Sequence, residues 1–226
     1  MPPFHPRLYL IIDPDHIPGG NIQKILQQTI PAGVTAVQLR SKTASTKDFF
    51  RLAQETLMFL SPFQIPLIIN DRVDIALCVG AQGVHLGQND FPICEARRLL
   101  GKDAIIGLSI QNLSQALALA KDKEQATIDY VGVGPIFATK SKPDANAPMG
   151  LKTLFRICQM MTCKVVAIGG IQTKNAAQVI QAGAEGIAII SAICQAKNPT
   201  YMTRALRNQI ERAYLQQKEN THETVP

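Results

Sequence analysis

Three polar residues alternate at one point of an otherwise apolar run, Gln38-Leu39-Arg40-Ser41-Lys42. Extended backbone sends every second side chain the same way, so Gln38, Arg40 and Lys42 share a face. Two cations and an amide on one face suit an anion such as a phosphate; a structural ion pair is the alternative reading of the same charges. Two further apolar runs lead to acids. Asn70-Asp71 closes one and is followed by Arg72, and His85-Leu86-Gly87-Gln88-Asn89 runs on to Asp90. Each aspartate alone reads as a helix cap. Taken together, from adjacent strand ends, Asp71 and Asp90 form an oxygen site for Mg2+, a hard ion that takes one or two carboxylates plus substrate phosphate. No spacing of His and Cys suggests zinc. His85 reads as a packed residue near its strand and is assigned no catalytic part.

A second set of candidates comes later in the chain. The segment from Pro135 to Met149 is the longest stretch without strand or helix pattern, and it carries Thr139, Lys140, Ser141 and Lys142 among turn-forming residues. Loops beyond about 12 residues are usually functional. Hydroxyls and amines here suit a phosphorylated substrate, over which such a loop can close. Further on, Ala167-Ile168-Gly169-Gly170-Ile171 and Ile189-Ile190-Ser191 end two more apolar runs. Paired glycines let backbone N–H groups approach a phosphate, and a following helix N-terminus adds its dipole. Two anion sites at one mouth result: one cationic and metal-assisted, the other built from backbone. That arrangement fits the joining of two phosphorylated molecules, with a diphosphate leaving from the metal side.

The elements that must carry these residues alternate along the chain. Short β-branched runs stand at Leu8 to Asp13, Ala36 to Ser41, Pro66 to Asp71, Gly83 to Gly87, Ala104 to Ser109, Tyr130 to Gly134, Lys164 to Gly169 and Gly186 to Ser191. They are too short for helices and too continuously apolar for a sheet with one wet face, so they read as buried parallel strands. Between them lie helical stripes, such as Ile22, Ile25, Leu26 and Ile30, or Phe49, Leu52, Ala53, Thr56 and Leu57. Asn21, Thr46, Asn112 and Asn175 are the expected caps, with Gly33, Gly101 and Gly183 at helix ends. Eight strand–helix units in 226 residues predict one (β/α)8 TIM barrel over residues 1–226. An open doubly wound sheet is the alternative, because periodicity does not report closure. Residues 218–226 read as a frayed tail. In a barrel the chemistry gathers at the carboxyl ends of the strands, with a recurrent phosphate site after strands seven and eight.

Composition excludes some classes. Hydrophobic residues make up 46% and charged residues 18%, which is a globular and not a disordered balance. The formal charge of +6 suits anionic ligands, but the basic residues are scattered and there is no tryptophan, so nucleic acid is not expected. No apolar run approaches the ~20 residues of a membrane span, and no signal-type segment opens the chain. The expected location is the cytoplasm. Five cysteines without a C-x-x-C pair read as buried or partly buried thiols in a reducing compartment. A homo-oligomer is left open.

The quoted motifs have a further property in common. V-Q-L-R-S-K, N-D-R-V-D-I-A, G-V-H-L-G-Q-N-D, G-P-I-F-A-T-K-S-K and A-I-G-G-I, followed by I-S-A-I, resemble thiamine-phosphate synthase in order and spacing from about Leu8 to Ala213. That family, a transferase of thiamine biosynthesis, joins 4-amino-2-methyl-5-hydroxymethylpyrimidine diphosphate to a thiazole phosphate and releases diphosphate. The resemblance implies that Gln38, Arg40, Lys42 and Asn70 hold the pyrimidine diphosphate, with Ser109 and Lys142 contributing, and that Asp71 and Asp90 bind Mg2+. Thr139, Ser141, Gly170 and the backbone of Ile190 and Ser191 would hold the thiazole phosphate. It further implies a dissociative substitution in which Mg2+, Arg40, Lys42 and Lys142 stabilise the departing diphosphate. Two departures stand out: Ser41 where the family often has Glu, and Thr139-Lys140-Ser141-Lys142 where it has T-x-T-K. Rival readings are a thiazole tautomerase-like enzyme, which would not need the diphosphate site, and a sensor of thiamine precursors, which would not need the metal pair.

Overall fold

The computed structural model describes residues 4–139 and 147–222. Its strands are β1 (Leu8–Ile12), β2 (Ala36–Leu39), β3 (Leu67–Asn70), β4 (Gly83–Leu86), β5 (Ile105–Ile110), β6 (Tyr130–Val133), β7 (Lys164–Ile168) and β8 (Gly186–Ile189). Every neighbouring pair is parallel, and β8 returns to β1 with Leu8 opposite Ile187 and Leu10 opposite Ile189. The sheet is a closed barrel, which sets aside the open doubly wound alternative.

Around it run α1 (Ile22–Thr29), α2 (Thr46–Leu60), α3 (Val73–Val79), α4 (Ile93–Leu100), α5 (Leu113–Lys121), α6 (Gly150–Met160), α7 (Thr173–Gln181), the four-residue α8 (Ser191–Cys194) and α9 (Pro199–His222). Their apolar stripes meet the outward strand residues, as when Ile22, Ile25 and Leu26 of α1 join Leu8, Leu10 and Ile12 of β1 in one core. Asn21 and Asn112 cap as expected, accepting from Lys24 N at 2.9 Å and Gln115 N at 2.9 Å. Thr46 does not cap. Ser45 takes that place, accepting from Asp48 N, because the residue before the first helical turn has the extended backbone that aims its hydroxyl back. Asn175 likewise sits one turn inside α7, where it accepts from Gln172 N in a capping box. The tail expected from residue 218 is helical through His222. Cys78 and Cys94 are exposed, against the expectation of buried or partly buried thiols, while Cys194 is buried. They lie on the outer faces of α3 and α4, on the side away from each helix's buried stripe.

Inside the barrel, alternation turns Tyr9, Ile11, Ala36, Ile68, Ile105, Tyr130, Val166 and Ala188 toward the axis as a second, separate core. Two glycines decide its shape. A Cβ on Gly107 would stand 2.2 Å from the Tyr130 ring and 2.5 Å from His85 Nδ1, and one on Gly132 would meet His85 at 2.9 Å. These recesses let two large rings lie across the interior, where Phe4 packs beneath them with its centroid 4.9 Å from that of Tyr130.

Candidate active site

The strand ends on the β1–β4 side carry the charges. Gln38 remains inside the barrel, buried, and donates to Tyr9 Oη at 3.1 Å. Arg40 and Lys42 follow the end of β2 and part company. Arg40 Nη1 pairs with Asp13, the residue after β1, whereas Lys42 Nζ pairs with Asp71, the residue after β3. The two cations are therefore taken up in ion pairs on either side of β2, Arg40 toward the end of β1 and Lys42 toward the end of β3. The pairs differ in kind. Asp13 is 1% exposed and Arg40 14%, whereas Lys42 is 56% exposed. Removing one partner of a buried pair costs about 3–5 kcal/mol; an exposed pair of the second sort contributes ~0–1 kcal/mol.

Asp71 occupies left-handed backbone at φ 62°, a conformation that aspartate tolerates better than most residues, and its N–H donates to His85 O at 2.8 Å. Burial pushes its carboxyl above the usual carboxylate range; Lys42 opposes that rise and the neighbouring Asp90 adds to it. Asp90 itself accepts from Gly87 N at 2.7 Å, which aims its carboxylate back over the end of β4. Asp71 and Asp90 are thus brought together, as the adjacent strand ends require. Asp13, Asp71 and Asp90 set three carboxylates against Arg40 and Lys42, so these five groups carry one net negative charge when all are ionised. A crowded carboxylate pair fits a hard divalent cation, which offsets the repulsion and supplies what an incoming diphosphate lacks. Among the described residues no group of three or more His, Cys, Asp or Glu side chains gathers for a metal.

The middle of the barrel is joined by hydrogen bonds. Tyr9 Oη and Tyr130 Oη lie 2.9 Å apart, Tyr130 Oη and His85 Nδ1 2.9 Å, and His85 Nε2 and Ser109 Oγ 2.9 Å. Gln38 of β2 and Ser109 of β5 are therefore the two ends of one hydrogen-bonded chain across the interior. Burial raises both phenols well above their ordinary pKa, so the chain is neutral there. Asn70 pairs in register with His85 and faces inward beside it. A cavity of about 30 Å³, water-sized, is lined by Gln38, Arg40, His85, Ser109 and Tyr130 and marks the floor of the mouth. The larger hollow of about 390 Å³ lies between α1 and α2, away from the strand ends.

The β6–β8 side is made of backbone. Gly169 and Gly170 have φ of 97° and 65°. Their lack of Cβ serves packing first: a Cβ on Gly170 would stand 2.5 Å from Ala138 O, and Phe137 N donates to Gly169 O at 3.0 Å. The segment after β6 is thereby laid across the end of β7, with Thr139 half-buried at its edge. Ile190 and Ser191 form the entry to α8, directly after β8. Lys140, Ser141 and Lys142 lie outside the described residues.

The model of the thiamine monophosphate synthase family matches residues 8–193. The chain belongs to the thiamine-phosphate synthase family. It is 46% identical over 202 residues to the thiamine-phosphate synthase of Leptospira biflexa, covering 89% of this chain and 96% of that one. It is 43% identical over 205 residues to the enzyme of that name from Albidiferax ferrireducens, covering 91% and 92%. Among solved structures it is similar to the thiamine phosphate pyrophosphorylase of Pyrococcus furiosus, with a TM-score of 0.80, 33% identity, and 92% and 96% of the two chains covered. Membership makes the chain a transferase.

Reading the sequence for a synthase missed Asp13, Tyr9 and Tyr130. Asp13 had a signal: it closes an apolar strand run, as Asp71 does. The tyrosines had a weaker one, being polar-tipped residues at inward positions of β1 and β6. His85, expected to be merely packed, is indeed buried, yet it also bridges Tyr130 to Ser109.

Proposed function

We propose that this thiamine-phosphate synthase condenses 4-amino-2-methyl-5-hydroxymethylpyrimidine diphosphate with a thiazole phosphate, giving thiamine phosphate and diphosphate. The observation that carries the reading is the run of Arg40, Lys42, Asp71 and Asp90 around one quadrant of the mouth, with Gln38 and Ser109 on the floor beneath. Gln38, Asn70 and Ser109 orient the pyrimidine. Arg40, Lys42 and Lys142 take the diphosphate, and Lys42 exchanges Asp71 for phosphate oxygens as it does so. Asp71 and Asp90 would hold Mg2+, which when bound supplies Lewis-acid stabilisation of the charge growing on the leaving group.

Thr139, Ser141, Gly170 and the backbone at Ile190 and Ser191 receive the thiazole phosphate and point its ring nitrogen at the pyrimidine methylene. Holding both partners turns an encounter of two molecules into a positioned one. The C–O bond to the diphosphate breaks, its electron pair leaves with the diphosphate, and the thiazole nitrogen supplies the pair that forms the new C–N bond. No side-chain nucleophile is needed. Charge complementarity at the diphosphate is the main source of rate. The reading places the enzyme in the cytoplasm, and among the described residues no helix is long and apolar enough to cross a membrane.

Incubating the purified protein with both precursors and Mg2+ tests this. Diphosphate release that requires both substrates, with thiamine phosphate as product, is expected. Proton exchange on the thiazole phosphate alone, without diphosphate release, would replace the synthase with a tautomerase, and binding without turnover would replace it with a sensor.

A further inference from the structure

We propose that Asp13 is a positioning residue of the diphosphate site: a buried carboxylate that anchors the Arg40 guanidinium by one arm and leaves its other arm for the ligand. The inference rests on the reading of Arg40 as an anion-holding group. Arg40 N donates to Ile12 O at 2.8 Å, so the register of β1 and β2 delivers the two side chains side by side at adjacent strand ends. The carboxylate is itself fixed, since Oδ1 accepts from Asp15 N at 3.1 Å. Its Oδ2 takes Arg40 Nη1, with His16 Nδ1 3.6 Å from the same oxygen. Cys194 of α8 closes over Ile11 beside it, its thiol 3.8 Å from Ile11 O.

This pair is built to persist. With Asp13 1% exposed, separation would strand a carboxylate out of reach of water. The pairing atom is Nη1, and among the described residues Nε and Nη2 are left as donors for an anion, while Arg40 lines the cavity at the floor of the mouth. Only a fork can do both. An ammonium is a compact point charge and lacks the flat, widely spaced donors that let one group grip a buried carboxylate by one arm and keep the other for an anion. An arginine anchored beforehand also loses less freedom when the diphosphate arrives, so Asp13 acts on binding without touching substrate.

Steady-state kinetics on Asp13→Asn, Arg40→Gln, Arg40→Lys and the double variant Asp13→Asn/Arg40→Gln test the assignment, with folding checked by circular dichroism. Asp13→Asn is expected to raise KM for the pyrimidine diphosphate on the order of tenfold, leaving KM for the thiazole phosphate within about twofold. In the Arg40→Gln background the same change should add nothing, since both act through one guanidinium. Arg40→Lys should behave like Arg40→Gln despite keeping the charge. Losses that multiply in the double variant, or equal rises in both KM values, would overturn the assignment. Should Asp13→Asn fail to fold, Arg40→Lys decides: near-native KM there excludes the two-armed anchor. An unchanged KM in Arg40→Gln would instead reject the reading of Arg40 itself, and so is distinguishable from failure of the part given to Asp13.

Discussion

The two sides of the barrel mouth solve the same problem with different materials. From β1 to β4, side-chain charges do the work, and Arg40 and Lys42 are held in ion pairs before any ligand arrives. From β6 to β8 the surface is backbone, shaped by Gly169, Gly170 and the entry to α8. The difference matches what the proposed function asks of each side. A diphosphate that arrives bound and leaves free needs counter-charge that can let go, and an exposed Lys42–Asp71 pair can exchange partners cheaply. A phosphate that stays attached to the product needs shape more than charge, which fixed N–H groups supply without a large electrostatic hold.

Several changes would break or sharpen that contrast. The largest effect is expected at Lys142: replacement by alanine should lower turnover on the order of a hundredfold or more, measured as diphosphate release, if it steadies the leaving group. Undiminished turnover would count against its part in steadying the diphosphate. Gly170→Ala tests the backbone side. Its φ of 65° and the 2.5 Å approach of Ala138 O leave no room for a Cβ, so a loss of about 1–3 kcal/mol in stability is expected. KM for the thiazole phosphate should rise while that for the pyrimidine diphosphate stays put. Asp90→Ala should raise the Mg2+ concentration for half-maximal rate by about tenfold; an unchanged titration would take Asp90 off the ligand list. The smallest effect is in pH. Burial and Asp90 hold Asp71 above the usual carboxylate range, and a ligand must be ionised to bind. The Mg2+ requirement should therefore increase as pH falls toward that raised value, and increase less in Asp90→Asn. A requirement that is flat in both proteins would contradict the metal assignment.

Much of this architecture could be read from one-dimensional pattern. Continuous runs such as Leu8 to Ile12 report burial on both faces, and their alternation with helical stripes reports parallel crossovers. Closure could not be read, because it depends on Leu8 of β1 meeting Ile187 of β8, a pairing that no local period encodes. The convergence of Asp71 and Asp90 was legible because both sit at ends of neighbouring strands. The divergence of Arg40 from Lys42 was not. Their partners, Asp13 after β1 and Asp71 after β3, follow different strands, and which acid each cation meets is set by tertiary packing that local alternation does not report. The same strand-end rule that picks out Asp71 picks out Asp13, provided that acids are weighed for what they anchor as well as for metals.

The glycine recesses at 107 and 132 carry a consequence for how such chains can diverge. With the Tyr130 ring 2.2 Å and His85 Nδ1 2.5 Å from where a methyl on residue 107 would stand, neither position can drift alone. Relatives that carry alanine at position 107 should have surrendered the aromatic ring at 130 in the same lineage. Substitutions inside this barrel are thus expected to travel in sets, and a graft of β5 from one relative into another should succeed only when β4 and β6 come with it.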